Sequence, residues 1–285
     1  MNLNWRFKSF LFGVIDSMSL YGLLYFLQKH ITRRSKVSIK DINKNWLTHK
    51  EHLSTIGTPR VIEFGAGKSL AQNIYLSQYV KHQTLVDLFP MLDISQFNDA
   101  AKQIAQITDQ PSVNVSSTND IKHCYQIDYL APVDLTKSDF DDNSFDACIS
   151  TNTLEHIPPK SIIAIFEELK RIIRNDGIIS AVIDYSDHYS HTDKSISKLN
   201  FLSYTSEKFK KHNHRTHYQN RLRHYDYEEI FESLGLEIVR KEALNKVPPP
   251  SMISKEFDTR KDNVFATQGI FLLRVRKPTH AQRQL

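Results

Sequence analysis

The sequence predicts an α/β protein built on a mostly parallel sheet with helices on both faces. Three observations predict it. From residue 60 onward, short apolar strand patterns alternate with helical ones. A tight turn, Gly65-Ala-Gly67, directly follows the first strand pattern, and the second strand pattern ends on a carboxylate, Asp87. Sheets of this kind bind ligands beyond the carboxyl ends of their strands, which is where both features fall.

Bulk composition narrows the classes. The 285 residues are 40% hydrophobic and 24% charged, which excludes wholesale disorder and a polytopic membrane protein. The length allows one large domain with attachments or two modest ones. Two cysteines, Cys124 and Cys148, exclude a disulfide framework or an all-cysteine metal cluster and fit a reducing compartment. A net charge of +5 and a pI near 9.0 raise the question of an anionic partner, nucleic acid or lipid.

Residues 10–27 are apolar apart from Asp16, Ser17 and Ser19. That is close to the shortest spanning helix, and a central charge would cost roughly 2.5–3.5 kcal/mol there. No small-residue cleavage site follows, which argues against a signal peptide. The pattern predicts two short helices with a turn at 16–19, where Asp16, Ser17 or Ser19 caps the second. In that second helix Leu20, Leu23, Leu24, Leu27 and Ile31 share one face, and Lys29, His30, Arg33, Arg34 and Lys36 follow. Three readings stay open: a hairpin packed on its own domain, a helix pair resting on an anionic leaflet, or a span. A third helix over 38–56, with Ile42, Trp46, Leu53 and Ile56 inward, ends at Gly57-Thr58-Pro59. This divides the chain into an N-terminal helical extension (1–57), a main domain (58–277) and a tail (278–285).

Within the main domain, Arg60-Val-Ile-Glu-Phe64 reads as the first strand and Thr84-Leu-Val-Asp87 as the second. The Ser-, Thr- and Asn-rich stretch 109–123 reads as a surface loop. Phe145-Asp-Ala-Cys-Ile-Ser150 is a further strand, followed by a helix over 160–173. Asn175-Asp-Gly177 then turns the chain into a strand over 178–184. The glycine turn is not a phosphate-binding P-loop, because Ile62 stands where that loop needs glycine. A dinucleotide fingerprint meets Leu70 where glycine or alanine is required.

Glu63-Phe-Gly65-Ala-Gly67-Lys-Ser69 resembles the first motif of class I S-adenosylmethionine-dependent methyltransferases, with Ser69 in place of a frequent third glycine. Asp87, twenty residues past Gly67, matches the acid that accepts from the cofactor ribose. Asp134 to Asp146 resembles the third and fourth motifs, and Ser150-Thr-Asn-Thr-Leu154-Glu-His156 the segment beneath the cofactor. Glu168 to Gly177 is similar to the helix and turn before strand five, with Asn175-Asp176 replacing the usual Pro-Gly. Tyr227-Glu-Glu-Ile-Phe-Glu-Ser-Leu-Gly235 and Gly269-Ile-Phe-Leu-Leu-Arg-Val275 resemble the last helix and closing antiparallel hairpin. The resemblance covers 58–277. It implies a Rossmann-like class I methyltransferase sheet, mostly parallel with an antiparallel last strand. It also implies S-adenosylmethionine as cofactor, held by Glu63, Gly65, Ala66, Gly67, Asp87, Leu88, Asp134, Leu135 and Thr151.

Ser150-Thr-Asn-Thr replaces the Asn/Asp-Pro-Pro-aromatic signature of nucleobase amino-methyltransferases, and neither cysteine lies in a Pro-Cys pair. Both facts point to other acceptors. An insertion over 185–224 follows strand five and holds six of the thirteen histidines. It resembles an insertion in methyltransferases from polysaccharide or cell-surface gene neighbourhoods. Three roles stay open for its Asp-His cluster. His188 could act as base with Asp187 or Asp184 orienting it, and His191 beside them. The cluster could hold a divalent ion, although no metal is assigned, or it could cap turns in a folded lid. His156 is the second base candidate. Asp184, His191, Asn220, Arg221 and Arg223 suit acceptor recognition, the arginines through their planar forks; the same arginines could instead tie the insertion to the core. The expectation is O-methylation of a sugar, glycolipid or other small molecule in the cytoplasm, with peripheral contact at the inner membrane face through the N-terminal helices and no nucleic acid. The alternatives are an RNA or protein methyltransferase and a non-catalytic cofactor binder.

Overall fold

The computed structural model describes residues 3–18, 37–109 and 111–277. The alternating patterns become a seven-stranded sheet of order β3-β2-β1-β4-β5-β7-β6. Its strands are β1 (Arg60–Phe64), β2 (His82–Val86), β3 (Ile127–Leu130), β4 (Phe145–Thr151), β5 (Ile173–Asp184), β6 (Glu237–Leu244) and β7 (Gln268–Arg274). β1 pairs in parallel with β2 and β4, β2 with β3, and β4 with β5; β7 runs antiparallel between β5 and β6. Strand order reverses direction at β1, so a crevice opens between the carboxyl ends of β1 and β4.

Both faces of the central strands are buried, and alternate residues serve different layers. Ile62 and Phe64 face one core with Cys148, Ile179 and Ala181. That core is closed by α6 (Pro159–Ile172), whose Ile162, Ile165, Phe166, Leu169 and Ile172 form one stripe, and by α8 (His224–Ser233) with Tyr227 and Phe231. Val61, Leu85, Ala147 and Ile149 face the other core. There they meet α2 (Lys44–Ser54), α3 (Ala71–Leu76), α4 (Ile94–Thr108) and α5 (Thr118–Tyr125). A buried Leu or Phe contributes about 1.5–3 kcal/mol, so these two layers supply most of the driving force for the fold.

Several boundaries differ from the sequence expectations. The helix expected over 38–56 begins only at Lys44, where the Asn43 side chain caps it by accepting from Asn45 N. Part of the loop expected over 109–123 is α5, started by a reciprocal capping box between Ser117 and Asp120. β5 begins at Ile173, directly after α6, because Phe145 and Ile173 pair before a register shift at Ala147. The second N-terminal helix and the tail lie outside the described residues. No helix among the described residues is long and apolar enough to cross a membrane.

The first helix, α1 (Trp5–Ser17), packs on the insertion. Trp5 donates its backbone N–H to Asp193 and its ring meets Tyr189, Tyr204 and His212 at centroid distances of 5.5, 5.8 and 4.7 Å. Asp16 lies inside α1, not at the start of a second helix, and accepts from the backbone N–H groups of Arg215 and Thr216. The opposite side of α1 leaves Phe7, Phe10, Leu11 and Met18 exposed. The insertion itself consists of short turns and α7 (Ser206–Lys210), with its own apolar cluster of Leu199, Phe201, Leu202 and Phe209. The segment joining β6 to β7 covers that cluster with Val247, Ile253, Phe257 and Phe265.

Candidate functional site

A cavity of about 430 Å³ opens at the carboxyl ends of β1, β2 and β4, within the size range of small-molecule sites. Gly65, Asp87, Leu88, Asp134 and Leu135 line it, with His156 on the same wall. Sequence reasoning missed the rest of the lining, mostly apolar groups such as Phe89, Met91, Val133, Ile157 and Ile165, together with Thr153. Their signal was weak because an apolar residue reads the same whether it faces a ligand or the core.

The glycine turn is shaped by backbone constraints. Gly65 has φ +76°, and a Cβ there would stand 2.5 Å from Thr153 Cγ2. Gly67 has φ +79° with open space where a side chain would go. Asp87 continues from β2 with one oxygen accepting from the Tyr129 hydroxyl at 2.8 Å. Burial pushes its carboxyl above the ordinary value, opposed by Tyr129 and by the Gly67 N–H. Asp134 accepts from Thr136 N and Oγ1 at 2.9 and 2.7 Å, which sets the short turn after it and holds the Asp134 carboxyl below its usual range.

Glu63, Ala66, Gly67 and Thr151 do not line this cavity. Glu63 is buried beneath the turn and accepts from Gln72 Nε2 at 3.1 Å and Asn73 Nδ2 at 2.6 Å. Burial raises its carboxyl to about 7, opposed by those two donors. The Thr151 hydroxyl donates to Gln72 Oε1 at 2.9 Å and accepts from His49 Nε2 at 2.8 Å. Because each hydroxyl has one proton, the whole chain of donors has one direction. His52 Nδ1 donates to Ser180, Ser180 to His49 Nδ1, His49 to Thr151, Thr151 to Gln72, and Gln72 to Glu63. Burial, then the neighbouring His52, lowers His49 to about 3, which keeps this relay neutral. His49 and His52 were not expected to serve the site; only the fold brings α2 against β4 and β5.

The insertion corrects several expectations. Arg223 does not face an acceptor: it is wholly buried and donates to the carbonyls of Val264 (3.0 Å), Tyr185 (2.9 Å) and Ala266. Asn220 is a bracket, donating to the Leu154 and Ile157 carbonyls at 2.7 and 2.8 Å. Asp187 does not orient His188, since its buried carboxylate accepts from Tyr189 N and Asn200 Nδ2. Burial raises that carboxyl to about 6. Arg221 pairs with Glu256 at 3.0 Å and donates to the Tyr204 carbonyl at the wall of a separate cavity of about 540 Å³. Asp184 and His191 line a third cavity of about 350 Å³, joined through Ser186.

His156 and His188 are neighbours, with ring centroids 4.8 Å apart. His188 is 8% exposed, does not line the 430 Å³ cavity, and is lowered to about 2 by burial and then by the adjacent His156. His156 is exposed, and its Nδ1 lies 3.0 Å from the Tyr218 carbonyl. A carbonyl only accepts, so Nδ1 carries a proton; in the neutral imidazole the lone pair is then on Nε2.

A seven-stranded sheet with a reversed last strand, a glycine turn after β1 and an acid after β2 defines the class I methyltransferase fold. Residues 62–181 match the family model described as a methyltransferase domain, so that stretch carries a methyltransferase domain. Among solved structures, 1,6-didemethyltoxoflavin-N1-methyltransferase of Burkholderia thailandensis, with bound 1,6-didemethyltoxoflavin and S-adenosylhomocysteine, is 12% identical with a TM-score of 0.50. The match covers 91% of this chain and 87% of that one. A methyltransferase of Methanosarcina mazei is 14% identical, with a TM-score of 0.45 and coverage of 84% and 100%. No curated protein matches the chain.

Proposed function

We propose that the chain transfers the methyl group of S-adenosylmethionine to a hydroxyl oxygen of a sugar, glycolipid or other small molecule. The observation that carries this reading is the His156 imidazole at the wall of the cavity, with Nδ1 donating to the Tyr218 carbonyl and Nε2 left for an acceptor. The cofactor supplies an electrophilic methyl on a sulfonium. The protein has to align the acceptor, exclude water and receive the hydroxyl proton. Alignment provides effective molarities near 10⁵–10⁸ M. A lone pair that takes the proton, or that helps another group to acidify it, adds roughly 10²–10⁴-fold. Gly65, Asp87, Asp134 and the apolar lining are the groups we assign to holding the cofactor, with Glu63 and Thr151 supporting the turn from behind.

The exposed face of α1 supports a place of action. Phe7, Phe10, Leu11 and Met18 form an exposed apolar stripe, and a run of basic residues, Lys29 to Lys36, follows in the sequence. This supports a cytoplasmic protein resting peripherally on an anionic leaflet, suited to a glycolipid acceptor.

The test is a pair of variants. His156→Ala keeps cofactor affinity by calorimetry and lowers transfer to a hydroxyl acceptor by about 10²-fold or more, whereas Asp87→Ala loses cofactor affinity. Unchanged turnover in His156→Ala would refute the oxygen-acceptor reading, and unchanged affinity in Asp87→Ala the cofactor-site assignment.

A further inference from the structure

We infer that Glu155, His156 and His188 form a binding site for a divalent first-row transition-metal ion at the edge of the cofactor cavity. One donor atom from each of the three lies within 4.8 Å of the others. An ion with ligands about 2.1 Å away separates neighbouring donors by about 3.0–3.4 Å, so side-chain adjustments of roughly 1 Å close the shell.

The carboxylate supplies the independent argument. Glu155 is 2% exposed, neither carboxylate oxygen has a well-formed hydrogen bond, and the donors that face the group are the backbone N–H groups of Glu155 itself and Asp184. Burial of such a group is costly unless it holds a proton or meets a cation. Two nearby imidazoles make the cation the better-matched answer, because neutral histidines offer lone pairs to a metal. The surroundings also have the form of an outer shell. A histidine that binds metal through one nitrogen typically donates the other N–H to a carbonyl, as His156 Nδ1 does to Tyr218 at 3.0 Å. Asn220 holds the turn that carries Glu155 and His156, donating its backbone N–H to Glu155 O at 2.8 Å and its amide to Leu154 O and Ile157 O. The ligands therefore sit on a fixed turn.

The donor set, two imidazoles and one carboxylate, suits Zn²⁺, Fe²⁺, Mn²⁺ or Ni²⁺ over Mg²⁺ or Ca²⁺. Any use of the ion to acidify an acceptor hydroxyl rests on the oxygen-acceptor reading above; the existence of the site does not.

The experiment uses the untagged full chain, stripped with a chelator and titrated with Co²⁺ while visible absorption is recorded, then competed with Zn²⁺. The expected result is one ion per chain with a dissociation constant of about 1 µM or tighter, and Co²⁺ bands displaced by Zn²⁺. Glu155→Gln and His156→Ala should each weaken binding at least about 100-fold, the upper end of the loss from an outer-shell change. His156 is exposed, so that variant keeps the fold, and retained cofactor affinity verifies it. The absence of Co²⁺ bands overturns the inference. So does Glu155→Gln binding within threefold of the parent, which would show a buried protonated acid with metal held on surface histidines. If no ion binds and His156→Ala still loses transfer, the metal site falls and the oxygen-acceptor reading stands.

Discussion

Arg223→Met is the most informative single change outside the cavity. The Arg223 guanidinium holds three carbonyls from two distant parts of the chain, Tyr185 at the end of β5 and Val264 and Ala266 before β7. It also lies over the Tyr185 and Phe201 rings, 5.1 and 5.5 Å from their centroids. Burial lowers its pKa to about 10, so it remains charged at neutral pH. Methionine fills much of the volume but leaves three buried carbonyls without donors. Each orphaned acceptor costs about 1–3 kcal/mol, and removing a buried charge returns part of that, so the net loss is about 4 kcal/mol. Domain stabilities are about 5–15 kcal/mol, which makes this a large fraction. At 2–4 °C per kcal/mol, the melting temperature should fall by roughly 10 °C. Urea unfolding followed by tryptophan fluorescence and circular dichroism measures it. A variant within about 0.5 kcal/mol of the parent and with a raised KM for its acceptor would refute the argument, because that is the signature of an arginine facing substrate.

Two further predictions follow from other parts of the molecule. The folded Glu63 carboxyl sits at about 7 against an ordinary 4.5. Its contribution is therefore fully present below pH 4.5 and lost as pH rises to about 7. Relative to the parent, Glu63→Gln should gain up to about 3 kcal/mol between those limits, and parallel stability profiles from urea unfolding would remove the buried-acid account. On α1, Phe7 and Phe10 are 53% and 65% exposed. Changing both to aspartate should leave stability unaltered and lower binding to anionic vesicles by at least about tenfold per phenylalanine; equal co-sedimentation of variant and parent would dismiss the membrane contact.

Much of the fold was legible because it rests on local pattern. The β1 run, the glycine turn and Asp87 share one stretch of chain where strand, turn and carboxylate follow in order, so their positions around a cavity come from connectivity. The α6 stripe was legible for the same reason: spacing along one helix needs no knowledge of its partner.

The insertion was not legible in this way. Asp187, Asn220 and Arg223 have the donors and acceptors of a recognition site, and those groups bind a backbone carbonyl or amide as readily as a substrate. Which of the two they meet depends on contacts between residues tens of positions apart. The same holds for the His49–Ser180 and Thr151–Gln72 links, which exist only because α2 packs against the sheet. The sequence by itself determined the class of fold, the glycine turn after β1 and the acid after β2, since short-range pattern and chain order specify them. Tertiary structure alone decided that Arg223 is a buried tie, that Glu63 lies behind the cavity, and that Glu155, His156 and His188 meet at its edge. Burial and orientation are properties of the packed chain, and no residue carries them in its own chemistry.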